Sequence, residues 1–276
     1  ELPEKRTGLN KKYQVTDAVM AAFSVFFTQC ESFLEHQRLM KLEKRKNNAK
    51  SLFGINSIPC DNQIRKLLDP GEAKTIFGTF KTVYYWLKKN QILEEFKYGN
   101  NQILVALDGT EYYCSKKISC PHCNCREHKS GEKTYYHQII TPVIISPEKK
   151  QVINLEPEFI RKQDGNKKED CENAGIKRWL LRNKVDKNSE EITLLGDDLY
   201  SRQTICELAK EQGYKFIFVA LPSSHKSLYE WINYLQNIGE IAQGEIKKYN
   251  QCQGVIYRYK YLNNVPLREL EPSLLV

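Results

Sequence analysis

The chain has 276 residues, with 42 Lys and Arg against 34 Asp and Glu, a formal net charge of +8. Hydrophobic residues make up 41% and charged residues 28%, enough apolar material for a packed core, which excludes disordered, collagen-like and low-complexity classes. The longest apolar stretch, Val19 to Phe27, falls far short of the ~20 residues of a membrane span, and no secretory leader pattern opens the chain. The expectation is a cytoplasmic protein of one large or two modest domains, with a mild electrostatic bias toward a polyanionic partner. It begins at Glu1 rather than Met, as a fragment would.

The first third reads as helical. Thr16 and Asp17 are suited to cap a helix whose apolar positions Val19, Phe23, Phe26, Phe27 and Cys30 recur at helical spacing. Ser32 and Glu35 form a capping-box pattern, and the helix they open runs into the cationic stretch Lys41 to Lys46. Asp61 caps a short helix over Ile64, Leu67 and Leu68. Asp69 and Pro70 start another, with Ile76, Phe80, Val83, Tyr84 and Leu87 on one face. Residues 1–98 thus form an all-helical N-terminal domain, either a structural bundle or a module that binds DNA ends.

After Gly99 the texture changes to α/β. Strands are expected over Gln102 to Asp108, Tyr135 to Ile145 and Gln151 to Leu155. A helix follows from about Lys167 to Asn183, then a strand over Glu191 to Asp197, a helix from Ser201 to Gln212 and a strand over Tyr214 to Ala220. The alternation at the end predicts parallel strands within a domain spanning 99–276. Asp108 and Asp197 each end a strand. Ligands of open α/β sheets gather at such ends, and two acids brought together there suit a divalent cation for phosphoryl transfer. Taken singly, Asp108-Gly109 is also a common turn, and Asp198 suits a helix cap. Asp164, Asp170 and Glu172 read as caps and buttresses of the helix from Lys167, with one of them able to approach the metal. The same helix carries a basic face of Lys167, Lys168, Lys177, Arg178, Arg182 and Lys184, for solvent or for DNA. Trp179 and Trp231 read as core, and His225 as a loop histidine near a strand end.

Nine cysteines include four within a dozen residues: Cys114, Cys120, Cys123 and Cys125. With His122, His128 and His137 close by, this insert over 112–137 has the composition of a metal site rather than a disulfide framework. Cys120 and Cys123 form a Cys-x-x-Cys knuckle. His128 and His137 stand nine residues apart, a span a hairpin closes, so the preferred zinc ligands are Cys120, Cys123, His128 and His137, with Cys125 or Cys114 as substitutes. A structural zinc ion would fold a segment too polar to pack alone and present Lys116, Lys117, Arg126 and Lys129 to phosphates.

Several segments together resemble bacterial insertion-sequence transposases with a DDE, ribonuclease-H-like core. They are Phe53 to Pro59, Arg65 to Asp69, Ala106-Leu-Asp-Gly-Thr110, Tyr136-His-Gln138, Leu155 to Glu158, Gln163-Asp-Gly165, Lys168 to Glu172 and Gly196-Asp-Asp-Leu-Tyr200. The resemblance implies a mixed sheet of the ribonuclease-H type. It also implies Mg²⁺- or Mn²⁺-dependent cleavage at transposon ends and attack of a 3′-hydroxyl on target DNA, by a homodimer at paired ends. Asp108 matches the first acid. Asp197 matches the second because Tyr200 follows it by three, with Asp198 the close alternative. The third acid of the family lies in a Tyr-x-x-Arg-x-x-x-Glu pattern that this chain lacks, which implies a copy truncated before that helix. Two further readings follow from its absence: a non-catalytic DNA-binding remnant, or a metal-dependent nuclease that completes its site differently.

Overall fold

The computed structural model describes residues 4, 6–7, 11–99, 101–161, 171–185, 190–250, 253–263 and 265–267. The chain divides into two compact units, residues 1–82 and 83–276, rather than at the expected 98/99. The earlier boundary follows from Tyr84 and Leu87, then Leu93 and Phe96, which pack into the core of the second unit.

The first unit holds α1 (Val15–Phe27), α2 (Phe33–Lys41), α3 (Glu43–Phe53) and α4 (Asp61–Leu68). Helix α1 buries its small residues, Ala18, Ala21 and Val25, which let it approach α4 closely. Phe23, Phe26 and Phe27 stay exposed, their rings meeting those of Phe33 and Phe53, so the aromatic stripe marks the outer face instead. Two polar groups buried in α1 are satisfied. Asp17 accepts the amides of Gln14 and Asn56 at 3.3 and 3.1 Å, and Ser24 Oγ pairs with His36 Nε2 at 3.1 Å. Ser32 caps α2 as expected, through the Glu35 amide. The chain turns extended at Leu42, however, so the cationic stretch lies in a separate helix. Asp61 is the first residue of α4 rather than its cap. Asp69 closes that helix, and α5 (Phe77–Lys89) begins only after a 3-10 turn at Ala73–Ile76.

The second unit is mixed α/β. Its main sheet comprises β1 (Gln102–Ala106), β5 (Val143–Ile145), β6 (Ile153–Asn154), β8 (Glu191–Gly196) and β9 (Lys215–Phe218), in the order β6-β5-β1-β8-β9. Strands β1, β8 and β9 are parallel, as the alternation predicts, while β5 and β6 run antiparallel. Helices α6 (Glu172–Arg182) and α7 (Gln203–Glu211) precede and follow β8. Their Ile176, Leu180 and Ile205 join Ile103, Val105, Ile144 and Leu194 in one core. Trp179 is buried there and donates its indole N–H to the Glu156 carbonyl at 2.7 Å. Trp231, on α8 (Lys226–Asn237), is 42% exposed instead of core, and α8 buries no residue.

A second sheet, β2 (Gly109–Ser115), β4 (Lys133–Ile140), β3 (Asn124–Glu127) and β7 (Glu158–Ile160), is built largely from the Cys/His insert. The strand expected over Tyr135 to Ile145 is therefore two. Pro142 has no N–H to continue the ladder, and there the chain leaves the sheet of β4 for that of β5. A hairpin of β10 (Ala242–Asn250) and β11 (Gln253–Tyr261) stands apart from both sheets. Among the described residues no closed barrel forms and no helix is long and apolar enough to cross a membrane.

Candidate functional site

Asp108 occupies the corner where the chain passes from β1 into β2. Its carbonyl accepts the Thr141 amide at 3.0 Å, and the Leu107 amide before it donates to the Leu195 carbonyl at 2.9 Å. In the parallel register Ala106 faces Leu195, so Asp108 and Asp197 each follow their paired residue by two, at the carboxyl ends of adjacent strands. Asp197 Oδ1 accepts the Leu199 amide at 2.9 Å. Asp198 turns elsewhere. Its Oδ1 accepts Ser224 Oγ at 2.5 Å and the Leu221 amide at 2.6 Å, bonds that hold its carboxyl below the usual range. It thus braces the loop between β9 and α8, where His225 is buried against Ser201 Oγ at 2.6 Å. Of the adjacent pair, Asp197 is the one beside Asp108, and His225 belongs to the Asp198 network.

A third carboxylate joins them from α6. Glu172, the first residue of that helix, lies so close over Gly109 that a Cβ there would sit 2.5 Å from its carboxyl carbon and 2.6 Å from Oε1. The Tyr200 hydroxyl donates to Glu172 Oε1, and Gln138 Nε2 donates to Oε2 at 3.3 Å. Burial, with the charges of Asp197 and Asp108, raises the Glu172 carboxyl above its ordinary value. Tyr200 is itself buried, so its phenol is pushed far up and keeps its proton. The Tyr200 ring packs over Gly196, where a Cβ would lie 2.8 Å from Cδ2. A glycine beside each aspartate therefore makes room for this Glu–Tyr pair. In the sequence Glu172 is one of three acids able to approach the metal, and Gly109, Gly196 and the Asp197-to-Tyr200 spacing do not single it out. Asp164 and Asp170 lie outside the described residues. The three carboxylates repel one another and are more loosely spread than the cysteine and histidine group below.

Among the described residues, Cys120, Cys123 and His137 have ligand atoms that all lie within 4.8 Å of one another. The sulfurs are 3.6 Å apart, and each is 3.3 Å from His137 Nε2. A tetrahedral zinc ion, with bonds of about 2.3 Å to sulfur and about 2.05 Å to nitrogen, requires edges of about 3.8 and 3.6 Å. The three atoms fit such an ion to within about 0.3 Å. The Cys120 amide donates to Cys123 Sγ at 3.2 Å, which fixes the sulfur within the knuckle. A bulge in β2 between Glu111 and Tyr113 sets two rings around the imidazole: Tyr112 stacks on it at 5.7 Å and Tyr113 tilts against it at 5.4 Å. Burial lowers the His137 pKa, with His122 adding to the shift, which favours the neutral, ligating form.

His128 is not part of the group. The β3–β4 register pairs Asn124 with Tyr136 and Glu127 with Lys133, so His137 falls level with Cys123 while His128 sits at the turn. That separates them by five residues of β4, roughly 17 Å at strand rise. His128 Nε2 pairs instead with Thr134 Oγ1 at 2.8 Å. Cys114 pairs across from Tyr136 and hence lies on the face opposite His137. Cys125 shares the His137 face but falls outside the close group. The described cysteines form no disulfide.

The basic face of α6 is partly consumed by acids. Arg178 Nε meets Glu158 at 2.6 Å, and Arg182 meets Glu156 at 3.1 Å and Glu158 at 2.6 Å, both carboxylates being buried. In the insert, Lys116 pairs with Glu132 and Arg126 with Glu111. Lys167 and Lys168 lie outside the described residues. Against known proteins, no family model and no curated protein matches the chain.

Proposed function

We propose that the chain is a DNA transposase of the DDE type, with a ribonuclease-H-like core that cleaves transposon ends and joins them to target DNA. One observation carries the reading: Asp108 and Asp197 end adjacent parallel strands, and Glu172 reaches the same place from α6. The sheet order, antiparallel through β6-β5-β1 and parallel through β1-β8-β9, supports the core assignment. Asp108, Asp197 and Glu172 would hold Mg²⁺ or Mn²⁺, which when bound activates the attacking hydroxyl and neutralises charge at the leaving oxygen. Gln138 and the protonated Tyr200 orient Glu172 toward the aspartates. Glu172 thereby supplies a third carboxylate from within the chain, where the family pattern puts one on a later helix.

Cys120, Cys123 and His137 would hold Zn²⁺ in a structural role, which locks the knuckle to β4. A cytoplasmic location, where the DNA is met, and action as a homodimer at paired ends come with the reading, as the resemblance implies. The test is strand cleavage of candidate end duplexes with Mg²⁺ or Mn²⁺. Asp108→Ala and Asp197→Ala are expected to lose cleavage at least about a hundredfold, and Asp198→Ala far less. Cleavage that survives Asp108→Ala would overturn the assignment, and DNA binding without any cleavage by the wild type would leave a DNA-binding remnant. Because Glu172 completes the acid set inside the core, a metal-dependent nuclease is the second reading. Cleavage with no strand-transfer product would favour it.

A further inference from the structure

The chain offers a metal three donors in the insert, Cys120 Sγ, Cys123 Sγ and His137 Nε2, in a triangle with edges of 3.6, 3.3 and 3.3 Å. Such a triangle is one face of the tetrahedron that zinc prefers, which leaves a fourth corner to be supplied. The strands direct every other cysteine and histidine of the insert elsewhere. Cys114 pairs with Tyr136 and lies on the face opposite His137. Cys125 pairs with Tyr135, two residues of β4 and about 6.6 Å of strand from His137, beyond the edge of a zinc tetrahedron. His128 is held at the far turn by Thr134 Oγ1 at 2.8 Å. His122 is exposed inside the knuckle, whose turn closes from the Cys123 amide to the Cys120 carbonyl at 3.1 Å. Cys123 is buried and His137 half-buried, but Cys120 is exposed, so the triangle is reached from solvent on the Cys120 side. Tyr112 and Tyr113 flank the imidazole and keep it turned toward the two sulfurs.

We propose that the metal held by Cys120, Cys123 and His137 takes its fourth ligand from outside the chain, and that this ligand is a small thiol bound as its thiolate. The proposal rests on the reading of these three residues as metal ligands and deepens it: a centre that fixes the knuckle to β4 also binds a ligand reversibly. Two sulfurs already make the donor set soft, and a soft set favours a further sulfur over an oxygen donor. As the thiol binds, its S–H proton passes to solvent and a sulfur lone pair forms the bond to the metal. Nothing is oxidised or reduced. Exposed Cys114 and Cys171 make a second copy of the chain the other source of the same donor.

The experiment loads the full chain, in slight excess, with Co²⁺ in place of zinc and follows the sulfur-to-cobalt charge-transfer band, whose intensity grows with the number of bound thiolates. Titration with 2-mercaptoethanol is expected to raise the band saturably by about half, as two thiolates become three around a tetrahedral ion. Cys114→Ser, Cys125→Ser and Cys171→Ser are each expected to leave both the starting intensity and the rise unchanged. A starting band of three-thiolate strength that falls in one of these variants means that the chain completes its own site, within one copy or between two. That result overturns the proposal, and a cobalt-dependent dimer in size-exclusion chromatography marks the second copy as the source. A two-thiolate band that the thiol leaves unchanged, or that vanishes as the thiol strips the cobalt, also overturns it but leaves the metal site standing. A wild type with no charge-transfer band at all overturns the metal reading and the proposal together.

Discussion

Gly109→Ala is the sharpest probe of the carboxylate site. Gly109 does not have positive φ, so alanine suits its backbone, and the nearest atoms to the new Cβ are those of the Glu172 carboxyl group, 2.5–2.6 Å away at Cδ and Oε1. They are the end of a flexible side chain, so Glu172 swings away and the backbone stays. It then loses the Tyr200 and Gln138 donors. A charge-assisted hydrogen bond contributes about 1.5–3 kcal/mol and a neutral one about 1 kcal/mol. Rehydration of the carboxylate and relief from Asp108 and Asp197 offset part of this, leaving a net cost of about 1–3 kcal/mol. Urea denaturation of the wild type, Gly109→Ala, Glu172→Ala and the double variant measures it. In the Glu172→Ala background nothing remains to be displaced. There Gly109→Ala is expected to be neutral or to stabilise by about 0.4–1 kcal/mol through the unfolded chain. Equal costs for Gly109→Ala in both backgrounds would refute the Glu172 placement.

Gly196→Ala meets different neighbours, the buried Tyr200 ring at 2.8 Å and the partly buried Phe218 at 3.1 Å, and the Tyr200 ring is packed in the core. Its expected cost is about 2–4 kcal/mol, read from the same denaturation curves. Glu172→Gln tests the sign of the electrostatics. The folded carboxyl is raised above its ordinary 4.5, so the folded state binds the proton more tightly than the unfolded state. That contribution is present below the ordinary value and lost as pH rises through the raised one, so Glu172→Gln should stabilise at pH 7 with a gain that vanishes near pH 4. A pH-independent gain would count against it. Prolonged dialysis against a strong chelator should lower the melting temperature and expose the insert to protease, as should Cys123→Ser, whereas His128→Ala should change neither. Metal analysis giving a stoichiometry near zero would remove the zinc assignment.

The main sheet was legible because β1, β8 and β9 carry apolar runs bounded by turn residues, with α6 and α7 between them showing helical periodicity. The strands of the insert were not, since β2 and β3 are largely polar and owe their pairing to β4 rather than to a buried face. In α1 the periodicity was real but its sense reversed. Small residues turned inward because a close helix crossing has no room for Phe23 or Phe27.

Residue type and spacing along the chain were enough to name Asp108, Asp197, Cys120, Cys123 and His137, because strand ends and the Cys-x-x-Cys knuckle are local patterns. Three choices were made only in three dimensions. The hairpin register put Cys123, not His128, level with His137. The loop before α8 drew Asp198 away through Ser224 and Leu221, leaving Asp197 beside Asp108. The docking of α6 brought Glu172 over Gly109, more than sixty residues away along the chain. Each depends on which atoms pack against which, and local sequence carries no record of that.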